Sequence, residues 1–495
     1  MKRSPGRPWI VALVLGGVAV LVRLPLLDIP FERDDASYAL LGTGLLEGRL
    51  PYRDFVTLKP PLLYALYLPL GLVGGGDPVR QRLAGMVFPV AAALALWGLG
   101  RALFGPRAAF FAALIYALIS ADPRAHGCFQ NAETLMIPFA ILSVWYWWAS
   151  TRKGERLSAA WAGAWLGVAA LVKHSVIPQA VLLASVPSRR LAARLVPPFV
   201  AGFAVIIALA AAVLAATGSV PALAEAARES ARYMDVEFRA RIPFYAASAL
   251  RLAQSQGAFW LLAILGAVAG TRARGAGRLL GLWLAGSVAG VFLGGRGFPH
   301  YYQQLLPPVA LLAGAGLERV LRRPRPLFFP AWLVALAAAS LPALAGLAPF
   351  TEGGREARAR LLFPRDPFVQ AEQAARWLAE HTPEGSAVFV AGTEPELALL
   401  SRRRLAGRYP FIYHLTVDAP DTVARQASWL GELEDPGVAA AVYCDQAGSW
   451  YDLYSSPVRT EELKKRAYAR LSGPGWRAAA SFPPFAIYLR QEGSR

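Results

Sequence analysis

The chain has 495 residues, 55% of them hydrophobic and only 17% charged, with a formal net charge of +18. A soluble protein averages about 25% charged residues, and many apolar runs here reach the roughly 17–25 residues that cross a bilayer, so the composition is that of a polytopic α-helical membrane protein. Continuous rather than alternating runs exclude a membrane β-barrel, and the basic excess is not read as nucleic-acid binding, because Lys and Arg fall mainly in short turns between the runs, where they set orientation.

The first apolar run, roughly Trp9 to Leu27, follows MKRSPGRP and resembles a signal peptide. It ends in LVRLPLLDIP without a small-x-small cleavage site, so it is read as a retained span, with Lys2, Arg3 and Arg7 holding its start in the cytoplasm. The loop Glu32–Pro61 (ERDDASYALLGTGLLEGRLPYRDFVTLKPP) then lies outside, and acids outnumber bases in it. Ala36–Glu47 reads as a short amphipathic helix with Leu40, Leu41 and Leu45 on one side, and Asp34 or Asp35 is its N-cap candidate. Leu62–Val73 is apolar but short, opened by Pro60-Pro61 and closed by Gly74-Gly75-Gly76. Taken as an interfacial helix, it leaves every later basic turn inside: Arg107, Arg152/Lys153/Arg156, Arg189/Arg190/Arg194, Arg272/Arg274/Arg278 and Arg322/Arg323/Arg325. Spans are then expected near 81–102, 108–121, 131–149, 158–172, 176–187, 194–217, 244–270, 278–293, 301–317 and 327–349. That makes about eleven transmembrane helices, with the N-terminus cytoplasmic and the C-terminus extracytoplasmic; the run at 176–187 is short for a span.

The same topology gathers Ala121–Ala132, the Lys173-His174 turn, Gly218–Pro243, Gly294–His300 and everything after about Phe350 on the outer side. Beyond Phe350 the character changes. TEGGREARARLLFPRDP reads as a polar connector, Phe368–Glu380 as a helix, Ala387–Ala391 and Val438–Cys444 as strands, Pro395–Ser401 as a helix and Ala478–Leu489 as a hairpin or edge strand. The expected division is a membrane domain, 1–350, whose first outer loop with interfacial helices covers 28–80, and a small soluble extracytoplasmic α/β domain, 351–495. Cys128 and Cys444 make no metal spacing and read as buried or idle thiols; the sequence neither requires nor excludes a disulfide between them.

These outer segments hold most of the remaining His, Asp and Glu, and so much of the possible chemistry. Asp34 and Asp35 lie beside the bilayer, and Glu133 opens a span otherwise free of charge, where an ionised side chain costs roughly 2.5–3.5 kcal/mol unless it has a partner or a task. A capping carboxylate is held rigidly and stays ionised near the helix dipole, which also suits a general base. Lys59, Arg82, Lys173, His174, Arg296 and His300 fall on the same side, with Tyr38 and Tyr301 beside them. Any one cation reads as snorkelling to headgroups; together with two acids they describe a site for a lipid-linked phosphate. Walker A, HExxH and GxSxG motifs are absent.

At DDASYALLGTGLLEGRLPYRDFVTLKPPLLYAL the chain resembles the GT-C membrane glycosyltransferases, specifically the family of protein O-mannosyltransferases, aminoarabinose transferases of lipid A and bacterial Rgt-like enzymes. Lys-Pro-Pro before an apolar helix, Arg-Leu opening span 2 and LFGPRAA closing it, NAETLMIPF, and HYYQQLLPPVALLAG occur in the matching order over about 30–350. The resemblance implies a multi-pass cell-membrane enzyme that moves a hexosyl or pentosyl group, with inversion, from a polyprenyl-phosphate-sugar to a glycolipid, polysaccharide or protein acceptor on the outer face. It further implies Asp34 as the base or acceptor-orienting residue, with Asp35 where a Glu often stands, Glu133 as the second acidic position, Lys59 on the donor phosphate with Arg82 near it, and His300 and Tyr301 lining the donor site beside Arg296; Tyr38, Lys173 and His174 are further candidates. Adjacent acids also suit a divalent ion, as in oligosaccharyltransferases, but the mannosyltransferase-like branch is generally metal-independent, and no cofactor is expected. A flippase or transporter of lipid-linked sugars is the alternative; it needs charges at mid-span, whereas these cluster on one face. A membrane scaffold whose outer domain binds a partner is a third reading.

Overall fold

The computed structural model of the protein describes residues 8–234, 238–268, 275–322, 353–452 and 454–491. Among the described residues, thirteen α-helices run through the first two thirds: α1 Pro8–Leu21, α2 Arg33–Gly44, α3 Leu62–Gly74, α4 Pro78–Gly85, α5 Val87–Phe104, α6 Pro106–Ile119, α7 Ala132–Lys153, α8 Arg156–Val172, α9 Arg189–Ala216, α10 Val220–Met234, α11 Phe238–Val268, α12 Ala276–Leu293 and α13 Leu306–Arg322. Among the described residues, four helical stretches are long and apolar enough to cross a membrane: Pro8–Leu26, Pro78–Phe104, Arg189–Ala216 and Ala276–Leu293. The helices α3, α6 and α8 are apolar but shorter. Outward-facing apolar side chains on α9, among them Val205, Leu209 and Val213, are what a surface solvated by lipid requires.

Three expectations need correction, and others fall outside the described residues. The run expected as a span at 176–187 is a 3₁₀ helix, His174–Ser185, with Pro178 inside it. At about 2.0 Å rise per residue its 12 residues reach roughly 24 Å, where an α-helix would reach about 18 Å, so tighter winding lengthens a short segment. Neither Asp34 nor Asp35 caps α2. Glu32 does, accepting from the Asp34 and Asp35 backbone N–H groups at 3.1 and 3.0 Å, and both aspartates sit in the first turn. The polar connector contains a helix, Arg355–Leu362, tied down by Arg355 on Glu372 and Arg358 on Asp28. The span expected at 327–349 and the basic residues Arg272, Arg274, Arg323 and Arg325 lie outside the described residues.

Helices α2 and α3 pack unusually closely. A Cβ on Gly42 would stand 2.9 Å from the Tyr67 carbonyl carbon, and one on Gly71 would stand 2.7 Å from the Thr43 methyl. The two glycines let the loop helix lie flat against the helix that follows Lys59-Pro60-Pro61.

Residues 387–490 hold a five-stranded sheet ordered β2-β1-β3-β5-β4. The strands are β1 Ala387–Ala391, β2 Arg404–Leu405, β3 Val438–Cys444, β4 Trp476–Phe482 and β5 Phe485–Arg490. Strand β1 runs parallel to β2 and β3, and β4–β5 is an antiparallel hairpin on the β3 edge. All five β1 residues are buried, as expected for a strand covered on both faces. Trp429, Leu463 and Leu471 pack on one face, and Ala371, Ala375 and Leu378 on the other. Cys128 and Cys444 are both buried and free. Leu40 of α2 and Leu400 touch both the helical core and the sheet core, so α2 is held between them.

Candidate functional site

The Asp pair is divided by its helix. Asp35 turns inward, fully buried, where it accepts from the Tyr67 hydroxyl at 2.9 Å and lies 3.7 Å from the Arg82 guanidinium. Burial pushes its carboxyl up to about 6, against the pull of Arg82 and Tyr67. Arg82, also fully buried, donates to the carbonyls of Leu27, Ile29 and Pro30; it fastens the chain entering α2 to α4. Asp34 points the other way, into a cavity of about 540 Å³.

That cavity collects much of what the sequence singled out. Asp34, Tyr38, Lys59, Lys173, His174, His300 and Tyr301 all line it. Lys59 is placed by Tyr52, whose hydroxyl donates to the Lys59 carbonyl at 2.8 Å and whose backbone stands at φ 70°, a conformation uncommon outside glycine. The Lys59 ammonium lies 5.9 Å from the Tyr38 ring centre. Lys173 ends α8, with its ammonium 4.0 Å from the Tyr301 ring centre and in an ion pair with Glu133 at the start of α7. Burial lowers Lys173 to about 8, with Lys59 adding to the effect and Glu133 opposing it. His126 and His300 face one another at 5.7 Å between ring centres, and burial holds both below the usual imidazole range.

Four singled-out residues do not reach the cavity surface. Asp35 and Arg82 pair beneath it, Glu133 stands behind Lys173, and Arg296 lies 3.5 Å from Asp452 with its guanidinium 5.1 Å from the Tyr454 ring centre. The structure therefore places Arg82 as a clamp on backbone carbonyls rather than on the cavity wall expected for a donor-phosphate ligand. Asp54 braces its own loop, accepting from the Leu50 N–H and pairing with Arg53.

The cavity also has walls that sequence reasoning missed. Arg251 enters from α11; an arginine inside the apolar run at 244–270 was a usable signal. Arg33, next to Asp34, donates to the Thr393 carbonyl at 2.8 Å and pairs with Asp366 at 2.5 Å and Glu394 at 3.1 Å. Loops of the sheet domain supply Phe411, Tyr413, His414, Tyr451, Asp452 and Tyr454. Behind His414, Glu229 of α10 is buried and paired with Arg425 and Arg232. Among the described residues no group of three or more His, Cys, Asp or Glu is disposed to hold a metal ion. With Asp35 turned onto Arg82, the adjacent aspartates do not present their carboxylates side by side.

A bundle of apolar helices and an acidic first loop thus lie against the five-stranded sheet and its helices, with a cation-lined cavity between them. Residues 59–216 match the family model of dolichyl-phosphate-mannose-protein mannosyltransferases. The chain superposes on the crystal structure of ArnT from Cupriavidus metallidurans bound to undecaprenyl phosphate with a TM-score of 0.61 at 16% identity, covering 99% of each chain. It superposes on the Archaeoglobus fulgidus oligosaccharyltransferase in the apo form with a TM-score of 0.54 at 14% identity, covering 89% of this chain and 70% of that one. AglB from the same organism, in complex with an inhibitory peptide and a dolichol-phosphate, gives 0.51 at 13% identity over 98% and 74%. No protein of curated function matches the sequence. The likeness to GT-C enzymes read from the loop motifs is thus found again in a family model and in the fold.

Proposed function

We propose that the protein transfers a sugar, with inversion, from a polyprenyl-phosphate-linked donor to an acceptor on the outer face of the cell membrane. The observation that carries this reading is the Asp34 carboxylate, turned into a large cavity that also presents Lys59, Lys173 and Arg251. Two of the similar structures hold a lipid phosphate, undecaprenyl phosphate in ArnT and dolichol-phosphate in AglB. In the proposed step the acceptor oxygen attacks the anomeric carbon from the side opposite the phosphate. A new carbon–oxygen bond forms as the bond to the phosphate oxygen breaks. The acceptor proton passes to Asp34, and the polyprenyl phosphate leaves with the electron pair. Charge growing on that phosphate is met by fixed cations, Lys59 and Lys173 foremost.

The test is release of sugar from radiolabelled polyprenyl-phosphate-sugars in membranes containing the protein. Turnover is expected. Lipid translocation without turnover of any donor would reject the transferase and favour a flippase. Because the chain supplies the cations, turnover is expected to persist in EDTA; loss restored by added Mg²⁺ or Mn²⁺ would contradict that.

Lys59→Gln is expected to weaken polyprenyl phosphate binding about 10- to 100-fold, the roughly 1.5–3 kcal/mol of a hydrogen bond to a charged group, as read by titration of the purified protein. Binding should also weaken as pH rises through about 8, where the Lys173 amine loses its proton and its attraction for the phosphate. Lys173→Arg should carry the binding plateau to higher pH, and an unchanged profile would remove Lys173 from the phosphate site.

A further inference from the structure

Resting on the glycosyl-transfer reading, we propose that the acceptor is a saccharide and that the loop 410–414 of the sheet domain, with Tyr451, Asp452 and Tyr454, forms its seat. The cavity has two walls. Lys59, Lys173 and Arg251 come from the membrane helices and their first loop, which also present Tyr38, Tyr64, Phe298 and Tyr301; the sheet domain contributes Phe411, Tyr413, Tyr451 and Tyr454 and, among the described residues, no Lys or Arg. Asp34 is tied to the second wall through a short path. Its neighbour Arg33 donates to the Thr393 carbonyl, and the Thr393 hydroxyl accepts from the Ile412 N–H at 3.4 Å. Ile412 is buried between Phe411 and Tyr413, which line the cavity.

The rings are set in place before any ligand arrives. Phe411 and Tyr413 lie 6.3 Å apart and within 28° of parallel, which makes a two-ring platform. The Tyr413 hydroxyl donates to the Gly448 carbonyl at 3.1 Å, and the Tyr451 hydroxyl donates to Glu461 at 2.5 Å. Their phenol groups are therefore engaged by the protein, and little side-chain freedom remains to be lost on binding. Such a wall suits a pyranose ring, whose C–H face packs on aromatic surface while its hydroxyls reach polar groups at the rim. His414 and Asp452 are the polar groups there. Glu229, held by two arginines, lies 3.6 Å behind the His414 ring nitrogen.

A polypeptide acceptor fits this wall less well. Among the described residues none of the lining belongs to a strand, so these walls offer a peptide no sheet edge to extend by main-chain hydrogen bonds.

The experiment uses the full chain in nanodiscs with a purified polyprenyl-phosphate-sugar. Short free oligosaccharides and Ser/Thr-containing peptides are offered as competing acceptors. Transfer to the oligosaccharides is expected, and Phe411→Ala or Tyr413→Ala should raise the saccharide KM about tenfold with donor affinity retained. Tyr413→Phe, which keeps the ring, should stay close to wild type. Transfer to peptides alone, or aromatic variants that weaken donor binding and leave the acceptor KM unchanged, would overturn the proposal. Saccharide binding to Asp34→Asn, followed by saturation-transfer NMR, separates the two readings. Binding that is lost on adding Phe411→Ala keeps the seat even if no sugar transfer is found; absence of saccharide binding to either protein rejects it.

Discussion

Asp34→Asn is expected to lower sugar transfer by about 10²- to 10⁴-fold, the usual contribution of a positioned general base, while polyprenyl phosphate binding is retained or tightened. The sign of the binding effect follows from charge. Asp34 shares its cavity with Lys59 and Lys173, and removing its carboxylate charge removes a repulsion felt by the incoming phosphate. Asp35→Asn should behave differently, because Asp35 faces Tyr67 and Arg82 rather than the cavity. Its cost should appear in thermal stability first and in turnover second. The pair of variants, assayed for sugar release and for lipid-phosphate binding, decides which aspartate acts. Full turnover in Asp34→Asn would remove the proposed base, and equal kinetic losses in both would mean that the division of the pair has no chemical weight.

Arg82→Met is expected to destabilise the protein by about 3–5 kcal/mol, the penalty for removing one member of a buried ion pair. Asp35 would be left buried without its counter-charge, and the carbonyls of Leu27, Ile29 and Pro30 would lose their donor. A lowered unfolding midpoint in detergent, read by scanning fluorimetry, checks this. The double variant Arg82→Met/Asp35→Asn should recover part of the loss, because the stranded charge is gone. An unchanged midpoint with selectively weak donor binding would instead return Arg82 to the phosphate site.

Much of this arrangement was legible from the residues. Lys-Pro-Pro before an apolar helix, acids in a loop beside a basic protein's membrane spans, and the strands at 387–391 and 438–444 each rest on local chemistry, and local chemistry survives folding. The cap of α2 was misplaced because Asp is a far commoner cap than Glu, and nothing nearby in sequence shows that Arg33 is drawn away onto Thr393 and Glu394. The role of Arg82 depends on carbonyls more than 50 positions upstream, and such partners leave no periodicity to read. Arg251 was hidden by its surroundings, an apolar run that made a span the natural assignment. The aromatic wall is a product of topology: the segments that carry Phe411 and Tyr413 and that carry Tyr451 and Tyr454 follow β2 and β3, which both flank β1 and run parallel to it.

The bridge from Arg33 to the sheet domain also sets an order of events. Arg33 is synthesised well before its partners Asp366 and Glu394, which follow 333 and 361 positions later. At translation rates of about 5–20 residues per second, the interval is roughly 20–70 s. Until the later segment has been made and delivered to the same side as the first loop, α2 lacks the contacts that seat it and Asp34 has no fixed position. A nascent chain therefore lacks a finished cavity until its last third has been made.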